Sequence, residues 1–479
     1  MALLKKKDPI TKFYDVIIVG SGLAGMTAAN KLAKDGRSVL LLEAHNKLGG
    51  FATWFRRPTN EGERHIFDIS LHGFPVGMIK TCRRYWSKDI ADCIERVDKI
   101  RFINPQFEID TDFTKEDYIN IMVEKFKLDR EYVVGFFNEL RAMNFYDDEA
   151  MTNGQLFEKY FPGRNDVVRF LLEPIAYANG STLEDEAITF GIVFSNFMNK
   201  GAYIFRGGTD KLIGMMKDEL LANGVDIKLH AKVDEILVED NVAKGVRIGE
   251  EKVLSKSVLS NSALYNTIFK MTPDANYSEK FAKEAKAVRV NSSSCQVFMG
   301  LKEGESIPNI GELIFYSSSD KFDTDLLLSP KAYSQTFSIY YPDMRKHMKQ
   351  KYAVVSSINA RYEDWMHLSD EEYKERKEYL AQNALDTMEK LVAGFKDKVE
   401  HVNVSSPRTV EKYTHHHFGS SFGTKFEGLA VSKELPNEIK GLFHAGSVGI
   451  IMSGWLGAAN YGVIVGHDLN TYLDKSSEN

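Results

Sequence analysis

The chain has 479 residues, of which 43% are hydrophobic and 27% are charged, as in an ordinary globular protein. This length is too great for one simple core and predicts two intertwined domains. The formal charge is −6, which disfavours a nucleic-acid-binding protein because such a protein presents a basic face. The three cysteines (Cys82, Cys93 and Cys295) are too few for a disulfide framework and predict a reducing compartment.

The beginning of the chain lacks the apolar stretch of a signal peptide. Its Lys5–Lys7 run is either a solvated tail or a contact with an anionic membrane. The longest apolar region, Gly441–Gly466, is long enough for a membrane span. Its many glycines, with His444 and Asn460, favour a buried strand, loop and helix instead. We therefore expect a cytoplasmic protein, with peripheral membrane contact left open.

A strand–glycine–helix pattern near the beginning predicts a dinucleotide-binding unit. The apolar run Tyr14–Val19 is typical of a buried parallel strand, and glycines follow where a helix should begin. Gly20 permits the tight turn, and Gly22 lets a pyrophosphate approach the backbone. Gly25 lets the helix pack closely on the strand. A lone glycine motif is weak evidence, but here it stands in the expected order with its strand and helix.

The same unit contains the groups that would hold the ligand. Leu23 and Ala24 lie in the first turn of the predicted helix, where free N–H groups and the positive helix end attract phosphates. The second predicted strand, Val39–Leu42, ends at Glu43. An acid at this place accepts both hydroxyls of an adenosine ribose and disfavours a 2′-phosphate.

The residues after Glu43 resemble the FAD-binding extension of the glutathione-reductase-like flavoproteins. After Glu43 come five residues, then the adjacent glycines Gly49 and Gly50, and then two apolar residues. In that superfamily this second loop lies along the pyrophosphate and ribityl chain of FAD. The resemblance implies FAD as the cofactor. The residues that it places at the cofactor are Ala44, Gly49, Gly50, Phe51 and Ala52.

Residues 112–200 are predicted to form a mainly helical insertion. Thr114 is a suitable N-cap for a helix whose apolar spacing continues to about Phe145. Further helices are predicted at Leu156–Phe161, Val167–Ala178 and Ala187–Asn199.

The β/α pattern resumes at Ala202–Phe205 and continues through a helix and short strands to about Ser260. Residues 290–365 alternate apolar and polar positions, which predicts an antiparallel sheet. The capping box Ser369–Glu372 opens a long charged helix. A final cofactor-like segment begins at Gly441.

These segments predict an α/β fold with a discontinuous Rossmann-like domain. The FAD-binding domain is predicted to comprise residues 1–111, 201–289 and 437–479. The inserted α+β substrate domain is predicted to comprise the helical residues 112–200 and an antiparallel sheet with a helix over residues 290–436. The sequence does not indicate an oligomeric state.

The order of the segments resembles that of the phytoene desaturase, carotenoid isomerase and retinol saturase flavoproteins over nearly the whole chain. Five places carry the resemblance. They are the Gly20–Glu43 unit, the Gly49-Gly50 pair, the Phe67-Asp68-x-x-x-His72 segment, the Phe205–Thr209 segment and the C-terminal Gly441–Gly462 region.

The family resemblance implies further FAD contacts late in the chain. The strand that carries Val233 would pass the adenine and contact it through backbone atoms. The other implied contacts are Gly446, Ser447, Gly454, Trp455 and Leu456, the last three at a helix N-terminus that would face the flavin. Two residues depart from the family pattern: Ser447 stands where an acid is usual, and Ser70 where glycine is usual.

The resemblance also implies the activity. The protein would be an FAD-dependent oxidoreductase that desaturates, saturates or isomerises carbon–carbon double bonds of a carotenoid, retinoid or other unsaturated lipid. In such an enzyme the flavin carries the redox chemistry, and the protein supplies orientation and a sealed apolar pocket. Apolar residues of the insertion either line a lipid tunnel or form ordinary core. They are Phe136, Phe137, Met143, Phe145, Phe161, Phe170, Leu171, Tyr177, Phe190, Phe194, Phe197 and Met198.

Histidines are the candidate catalytic residues. His72 would be a proton donor or cation stabiliser, or else a structural histidine. In the run His415-His416-His417, His415 and His417 would share one face if the segment is extended. They could line a pocket or an exposed turn, and no metal site is predicted because no carboxylate or cysteine stands at ligand spacing.

Two other functions compete with the leading hypothesis. The Ser453-Gly454-Trp455-x-x-Gly457-Ala458 segment also resembles the FAD amine oxidases. Two parallel aromatic rings before the flavin would favour an amine substrate, whereas a long apolar tunnel would favour a lipid. The non-enzymatic prenyl-lipid escorts of the Rab GDP-dissociation-inhibitor type share the architecture. The intact glycine motif and Glu43 argue against an escort, because they retain cofactor binding.

Overall fold

A computed structural model describes residues 3–4, 10–59, 64–143, 151–198, 200–273, 275–346, 348, 351–449 and 451–477. The strands, numbered in chain order, are β1 (Leu3–Leu4), β2 (Tyr14–Val19), β3 (Val39–Leu42), β4 (Trp54–Pro58), β5 (Arg64–Asp68), β6 (Phe74–Pro75), β7 (Ile94–Arg96), β8 (Ile100–Asn104), β9 (Phe107–Thr111), β10 (Ala202–Phe205), β11 (Asp226–Lys228), β12 (Glu235–Glu239), β13 (Val242–Ile248), β14 (Glu251–Ser260), β15 (Ser293–Leu301), β16 (Leu313–Ser317), β17 (Ser334–Tyr340), β18 (Ala353–Ala360), β19 (Val399–Ser405) and β20 (Leu442–His444).

The helices are α1 (Leu23–Lys34), α2 (Gly77–Tyr85), α3 (Lys88–Ala91), α4 (Lys115–Glu124), α5 (Arg130–Ala142), α6 (Asn153–Tyr160), α7 (Asn165–Asn179), α8 (Ala187–Met198), α9 (Gly208–Ala222), α10 (Leu264–Phe269), α11 (Glu279–Ala287), α12 (Thr324–Leu327), α13 (Glu363–Met366), α14 (Asp370–Leu391), α15 (Phe395–Lys398), α16 (Pro407–Thr414), α17 (Glu427–Glu438) and α18 (Gly454–Ser477). Short 3₁₀ helices cover Pro342–Arg345 and His417–Gly419.

The first sheet has the predicted Rossmann-like arrangement. Its strand order is β1-β11-β3-β2-β14-β13-β12, and β20 lies beside β14. The strands β11, β3, β2, β14 and β20 run parallel to one another. Every residue of β3 is buried, because the run of valine and leucine is covered on both faces. Because these strands are parallel, their carboxyl ends lie at the same edge of the sheet, and Glu43 follows β3 at this edge.

Glycines allow the two long helices of this domain to approach closely. A β-carbon at Gly462, on α18, would lie 2.2 Å from the carbonyl oxygen of Ala24, on α1. A β-carbon at Gly25 would lie 2.4 Å from the carbonyl oxygen of Gly20. A larger residue at either position would push α1 away from its neighbours. The role predicted for Gly25, close packing of helix on strand, is the one that the backbone shows.

The second sheet has the order β19-β15-β18-β17-β16-β8-β9 and is antiparallel except where β16 meets β8. One face carries Val297, Phe337 and Ile358, which pack in one core with Leu380 and Met388 of α14. This helix begins with the predicted capping box, in which the Ser369 hydroxyl accepts from the Glu372 N–H. The opposite face of the sheet looks onto a cavity.

The predicted boundary of the FAD-binding domain at residue 111 is wrong in one respect. Residues Ile100–Ile103 pair in parallel with Leu313–Tyr316, and β9 pairs with β8. The segment Ile100–Thr111 therefore belongs to the second sheet rather than to the Rossmann-like domain. The partner of β8 lies far along the chain, so no local pattern identified this pairing.

The insertion is helical, but its first predicted helix is two helices. Thr114 caps α4 as predicted, and the helix stops at Glu124. Lys127 then adopts a φ of +58°, and the Asp129 carboxylate caps the start of α5. The predicted ends at Phe145 and Asn199 lie outside the described residues. Among the helices of the described ranges, none has the length and apolarity required to cross a bilayer.

Candidate functional site

A single cavity of about 1000 Å³ joins the first sheet to the second. At one end it is lined by the glycine turn after β2, by Glu43 and by Val233. At the other end it lies between the second sheet and the helices α7 and α8. One continuous space thus connects the predicted dinucleotide site with the predicted substrate domain.

The two glycine loops form one backbone surface at the first end of the cavity. Gly22 and Gly49 form a parallel β-bridge, and the Gly49 N–H donates to the Ser21 carbonyl oxygen at 2.9 Å. A β-carbon at Gly50 would lie 2.9 Å from the Cα of Gly22. Since neither loop has room for side chains here, a ligand can reach the backbone of both.

Glu43 is held in place by protein donors. Its Oε2 accepts from the Ser21 N–H at 3.0 Å and from the Ser21 hydroxyl at 2.5 Å. Its Oε1 accepts from the His45 N–H at 2.8 Å. The side chain is buried among these groups but lines the cavity. The acid is therefore oriented at the end of β3 by the chain itself.

Most of the predicted cofactor residues line this cavity. Two do not: Gly25 lies behind the glycine turn, and Gly446 packs against the Ser262 carbonyl oxygen, 2.4 Å from where its β-carbon would be. Those that line it are Gly20, Gly22, Leu23, Ala24, Glu43, Ala44, Gly49, Gly50, Phe51, Ala52, Val233, Ser447, Gly454, Trp455 and Leu456.

Of the two residues that depart from the family pattern, Ser70 has a clear structural role. Its hydroxyl donates to the Phe51 carbonyl oxygen at 2.8 Å and accepts from the Trp455 Nε1–H at 3.1 Å. The serine thus ties the second glycine loop to the N-terminus of α18. Ser447 lines the cavity beside Gly423, where a β-carbon would lie 1.8 Å from the Ser447 carbonyl oxygen.

A buried oxygen beside the glycine turn fits a dinucleotide. Asn261 Oδ1 is buried and has no hydrogen-bond partner within the described part of the chain. It lies 2.7 Å from where a β-carbon of Gly22 would be, and the Asn261 amide donates to the Ala445 carbonyl oxygen. Buried acceptors are nearly always paired, so this oxygen suits a ligand that supplies a hydroxyl. The hydroxyls of a dinucleotide are of this kind.

His72 lies on the cavity wall and is held as a neutral imidazole. Its Nδ1 is 2.7 Å from the Ser338 hydroxyl, and its Nε2 accepts from the Gln296 amide at 3.2 Å. Burial lowers the pKa of His72 to about 4. The uncharged ring serves as a hydrogen-bonding group, and this pKa is unfavourable for a proton donor at neutral pH. Its role in proton transfer remains a prediction.

The buried histidines make stability depend on pH. Burial lowers the pKa of both His72 and His444 to about 4, from 6.5 in an unfolded chain. Between these values the unfolded chain binds protons that the folded chain excludes. We therefore expect the free energy of unfolding to fall as the pH drops from 6.5 to 4, by about 3 kcal/mol for each histidine. Urea unfolding of the wild type and of His72→Gln across this range measures it. An equally steep dependence in the variant would contradict the assignment to His72.

The histidine run is not extended, so His415 and His417 do not share a face as one strand would place them. His415 ends α16 with a φ of +57° and stacks at 6.3 Å on His45. His417 starts a 3₁₀ helix and stacks at 3.9 Å on Tyr265. Among the three histidines, His415 and His416 line the cavity. Burial lowers the pKa of each, so none favours a charged role.

The aromatic residues of the insertion are mostly ordinary core. Of those proposed for a lipid tunnel, Tyr177 and Phe197 line the cavity. Phe136, Phe170 and Phe190 are fully buried within the helical insertion. Phe145 lies outside the described residues. The apolar wall of the cavity is formed by Ile175, which follows Pro174 in α7, and by one face of α8. We define it as Ile175, Ile192, Val193 and Phe197.

The opposite wall is polar, which the sequence analysis missed. It is formed by the cavity-facing side of β15, β17, β18 and β19. Polar residues at every second position of these strands could have indicated a polar wall. A sheet with one face toward solvent has the same pattern, so the sequence does not distinguish the two. We define the polar wall as Ser294, Gln296, Thr336, Ser357, Asn359, Asn403 and Ser405.

Comparison with known proteins agrees with this architecture. A family model described as an NAD(P)-binding Rossmann-like domain matches residues 18–86. A chloroplastic prolycopene isomerase of Arabidopsis thaliana is 22% identical over 454 residues, 85% of this chain and 74% of that protein. An all-trans-retinol 13,14-reductase of Danio rerio is 22% identical over 522 residues, 93% of this chain and 84% of that protein. The chain is a relative of the prolycopene isomerases and retinol reductases. This similarity confirms the family resemblance predicted from the motifs, and the relatives that carry it are named as isomerases and reductases.

Solved structures share the whole fold. An oxidoreductase from Methanosarcina mazei is similar with a TM-score of 0.65 at 15% identity, covering 97% of this chain and all (100%) of that one. A variant of putrescine oxidase has a TM-score of 0.65 at 14% identity, covering 96% of this chain and 99% of that one. At these identities the likeness establishes the α/β fold and nothing finer.

Proposed function

We propose that the protein is an FAD-dependent oxidoreductase that acts on carbon–carbon double bonds of a long, largely apolar substrate. The observation that carries the proposal is the continuous cavity from the glycine loops to the chamber between the second sheet and α7–α8. Relatives named for isomerising prolycopene and for reducing retinol support the reaction class.

The chain offers suitable groups for FAD. Glu43 would accept the ribose hydroxyls, and the first turns of α1 and α18 both open onto the cavity. Helix N-termini present free N–H groups and partial positive charge, which suit the phosphates and the electron-rich edge of a flavin. When bound, the flavin would supply hydride acceptance or donation. Ser70 and Trp455 would keep the second glycine loop and α18 in register for it.

The remaining walls would orient the substrate. The apolar wall, including Ile175 and Val193, offers van der Waals contact to a carbon chain and excludes water from it. His72 stays neutral beside Gln296 and Ser338, so it can position a substrate without adding a charge to the chamber. Reaction at an unactivated double bond requires alignment more than a strong protein base.

Two pairs of aromatic rings on the cavity wall are packed directly against each other. They are near-parallel: Phe74 lies 5.3 Å from Trp455, and Phe113 lies 6.4 Å from Phe315. A substrate between two rings needs about 7 Å, since each contact takes about 3.5 Å. Neither pair can therefore hold an amine between its rings.

Anaerobic spectroscopy of the purified protein tests the proposal. We expect flavin absorption bands that respond to an unsaturated lipid such as all-trans-retinol and do not respond to putrescine. Bleaching of oxidised flavin would indicate desaturation, and return of the bands after prior reduction would indicate saturation. A changed double-bond geometry with an unchanged spectrum would indicate isomerisation. Bleaching by putrescine alone, or absence of flavin after FAD is supplied, would refute the proposal.

A further inference from the structure

A row of polar side chains crosses four neighbouring strands of the second sheet. By strand register, Ser405 lies opposite Gln296, Gln296 opposite Ser357, and Ser357 opposite Thr336. The next residue across the sheet is Phe315, which is paired with Thr336. Directly opposed residues share one face of a sheet, so these four side chains form one continuous polar strip. All four line the cavity.

The face of the sheet that turns away from the cavity is mainly apolar, with Gln335 and Ser356 bonded to each other on it. Along β15 and β18 the alternate residues Val297 and Ile358 turn away from the cavity and pack with α14. The wall continues on the cavity side with Ser294, Asn359 and Asn403. A chamber that accommodates a pure hydrocarbon would gain nothing from this arrangement, because a polar group covered by hydrocarbon loses its water, and one that has no protein partner finds no replacement.

Part of this wall lacks protein partners. The Thr336 hydroxyl is buried and has no hydrogen-bond partner within the described ranges of the chain. The Gln296 amide donates to the Ile69 carbonyl oxygen at 2.7 Å, and the Asn359 amide donates to the Ala176 carbonyl oxygen at 2.8 Å. These two bonds fix the orientation of the amides. The wall is thus held in place and includes at least one hydroxyl that a bound molecule could satisfy.

The chamber therefore has two chemically different sides. The apolar wall, with Ile175, Ile192 and Val193, offers no hydrogen bonds, whereas the polar wall offers only hydroxyl and amide groups. Because no member of the polar wall is ionisable, it suits a neutral group better than a carboxylate, which would need a buried counter-charge.

We infer that the substrate is an unsaturated lipid that carries a neutral hydroxyl or carbonyl group, bound by the Ser405–Gln296–Ser357–Thr336 strip, and not a bare hydrocarbon. This inference rests on the proposed function and deepens it. A site built to hydrogen-bond a substrate group rejects the analogue that lacks it, because the buried polar groups of the site are then left unpaired. The strip would thus select among lipids of equal length and unsaturation.

A matched pair of ligands tests the inference. All-trans-retinol and its deoxy analogue differ only in a hydroxyl, and their binding to the flavin-loaded protein can be followed by quenching of tryptophan fluorescence, since Trp54 and Trp455 line the cavity. We expect the alcohol to bind at least about 10-fold more tightly than the hydrocarbon. Equal or tighter binding of the hydrocarbon, or binding of neither probe, would overturn the inference.

Two variants assign the preference to the strip. Thr336→Val removes a hydroxyl that has no hydrogen-bond partner among the described residues, so we expect unchanged thermal stability in this variant. When Ser357→Ala is added, we expect the preference for the alcohol to fall to about threefold or less. The matched control is Ser356→Ala, whose hydroxyl faces the other way and donates to Gln335. It should leave the ligand preference at the wild-type value. An undiminished preference in the double variant would overturn the assignment.

The flavin content separates this inference from the proposed function. A protein that holds no flavin and responds to no lipid contradicts the proposed function itself. A protein that holds flavin, reacts with lipids and prefers the hydrocarbon contradicts only the inference drawn from the polar wall.

Discussion

Replacing Arg345 by methionine is expected to lower the free energy of unfolding by about 3–5 kcal/mol. Arg345 Nη2 donates to both carboxylate oxygens of Asp68 at 2.8 Å and to Asp210 Oδ1 at 2.9 Å. The side chains of Arg345 and Asp68 are completely buried. Without the guanidinium, the Asp68 carboxylate would remain buried, and its remaining donor among the described residues would be the Thr209 N–H at 2.7 Å.

Denaturant unfolding measures this effect, and an exposed pair provides the control. Arg289 pairs with Glu427 at 2.8 Å, but 69% of its side chain is exposed. Arg289→Met should therefore cost less than about 1 kcal/mol. Adding Asp68→Asn to Arg345→Met should recover part of the loss, because the buried negative charge is then removed. A loss as small as that of the exposed pair would show that the buried cluster does not stabilise the fold.

Glu43→Ala is expected to weaken FAD binding by about 100-fold. A hydrogen bond to a charged group contributes about 1.5–3 kcal/mol, and the carboxylate both faces the predicted ribose position and accepts from Ser21 and His45. Its loss would remove the ribose contacts and loosen the first glycine turn together.

Titration of apoprotein with FAD, followed by flavin fluorescence, gives the dissociation constant. The control is Glu434→Ala, which removes the same charge from an exposed position on α17 and should leave the affinity unchanged. Full flavin occupancy and an unaltered dissociation constant in Glu43→Ala would refute the ribose assignment. This result would also remove the main support for an adenine dinucleotide at this end of the cavity.

The β-α-β unit with its glycine turn and acid was predictable because its signals are local. Gly20, Gly22 and Gly25 are spaced for a turn between one strand and the next helix, and Glu43 ends the following strand. Each role depends on neighbours within one β-α-β unit. The structure has the predicted turn between β2 and α1, and Gly20 has a φ of +95° that favours glycine.

The substrate end was not predictable to the same degree, because its contacts are remote in sequence. The pairing of β8 with β16 and the direction of the polar wall depend on which strands become neighbours. His415 has a positive φ because it stands at the C-terminal end of α16, and the sequence did not predict this conformation. Phe170 was a candidate for a lipid tunnel but is buried in the core. Aromatic residues have the same spacing along a helix whether they face a core or a cavity, so the sequence does not separate the two.

The parallel pairing of β8 with β16 also constrains how the chain reaches its native state on the ribosome. The strand Ile100–Asn104 can pair with β9 as soon as both are synthesised. Its other edge stays unpaired until Leu313–Ser317 has been synthesised. Such non-local strand pairing is slow and leaves unpaired backbone exposed in the meantime. Neither domain is a contiguous stretch, so a nascent chain that ends before β16 contains no complete second sheet. The second sheet can therefore be completed only after most of the chain has been synthesised.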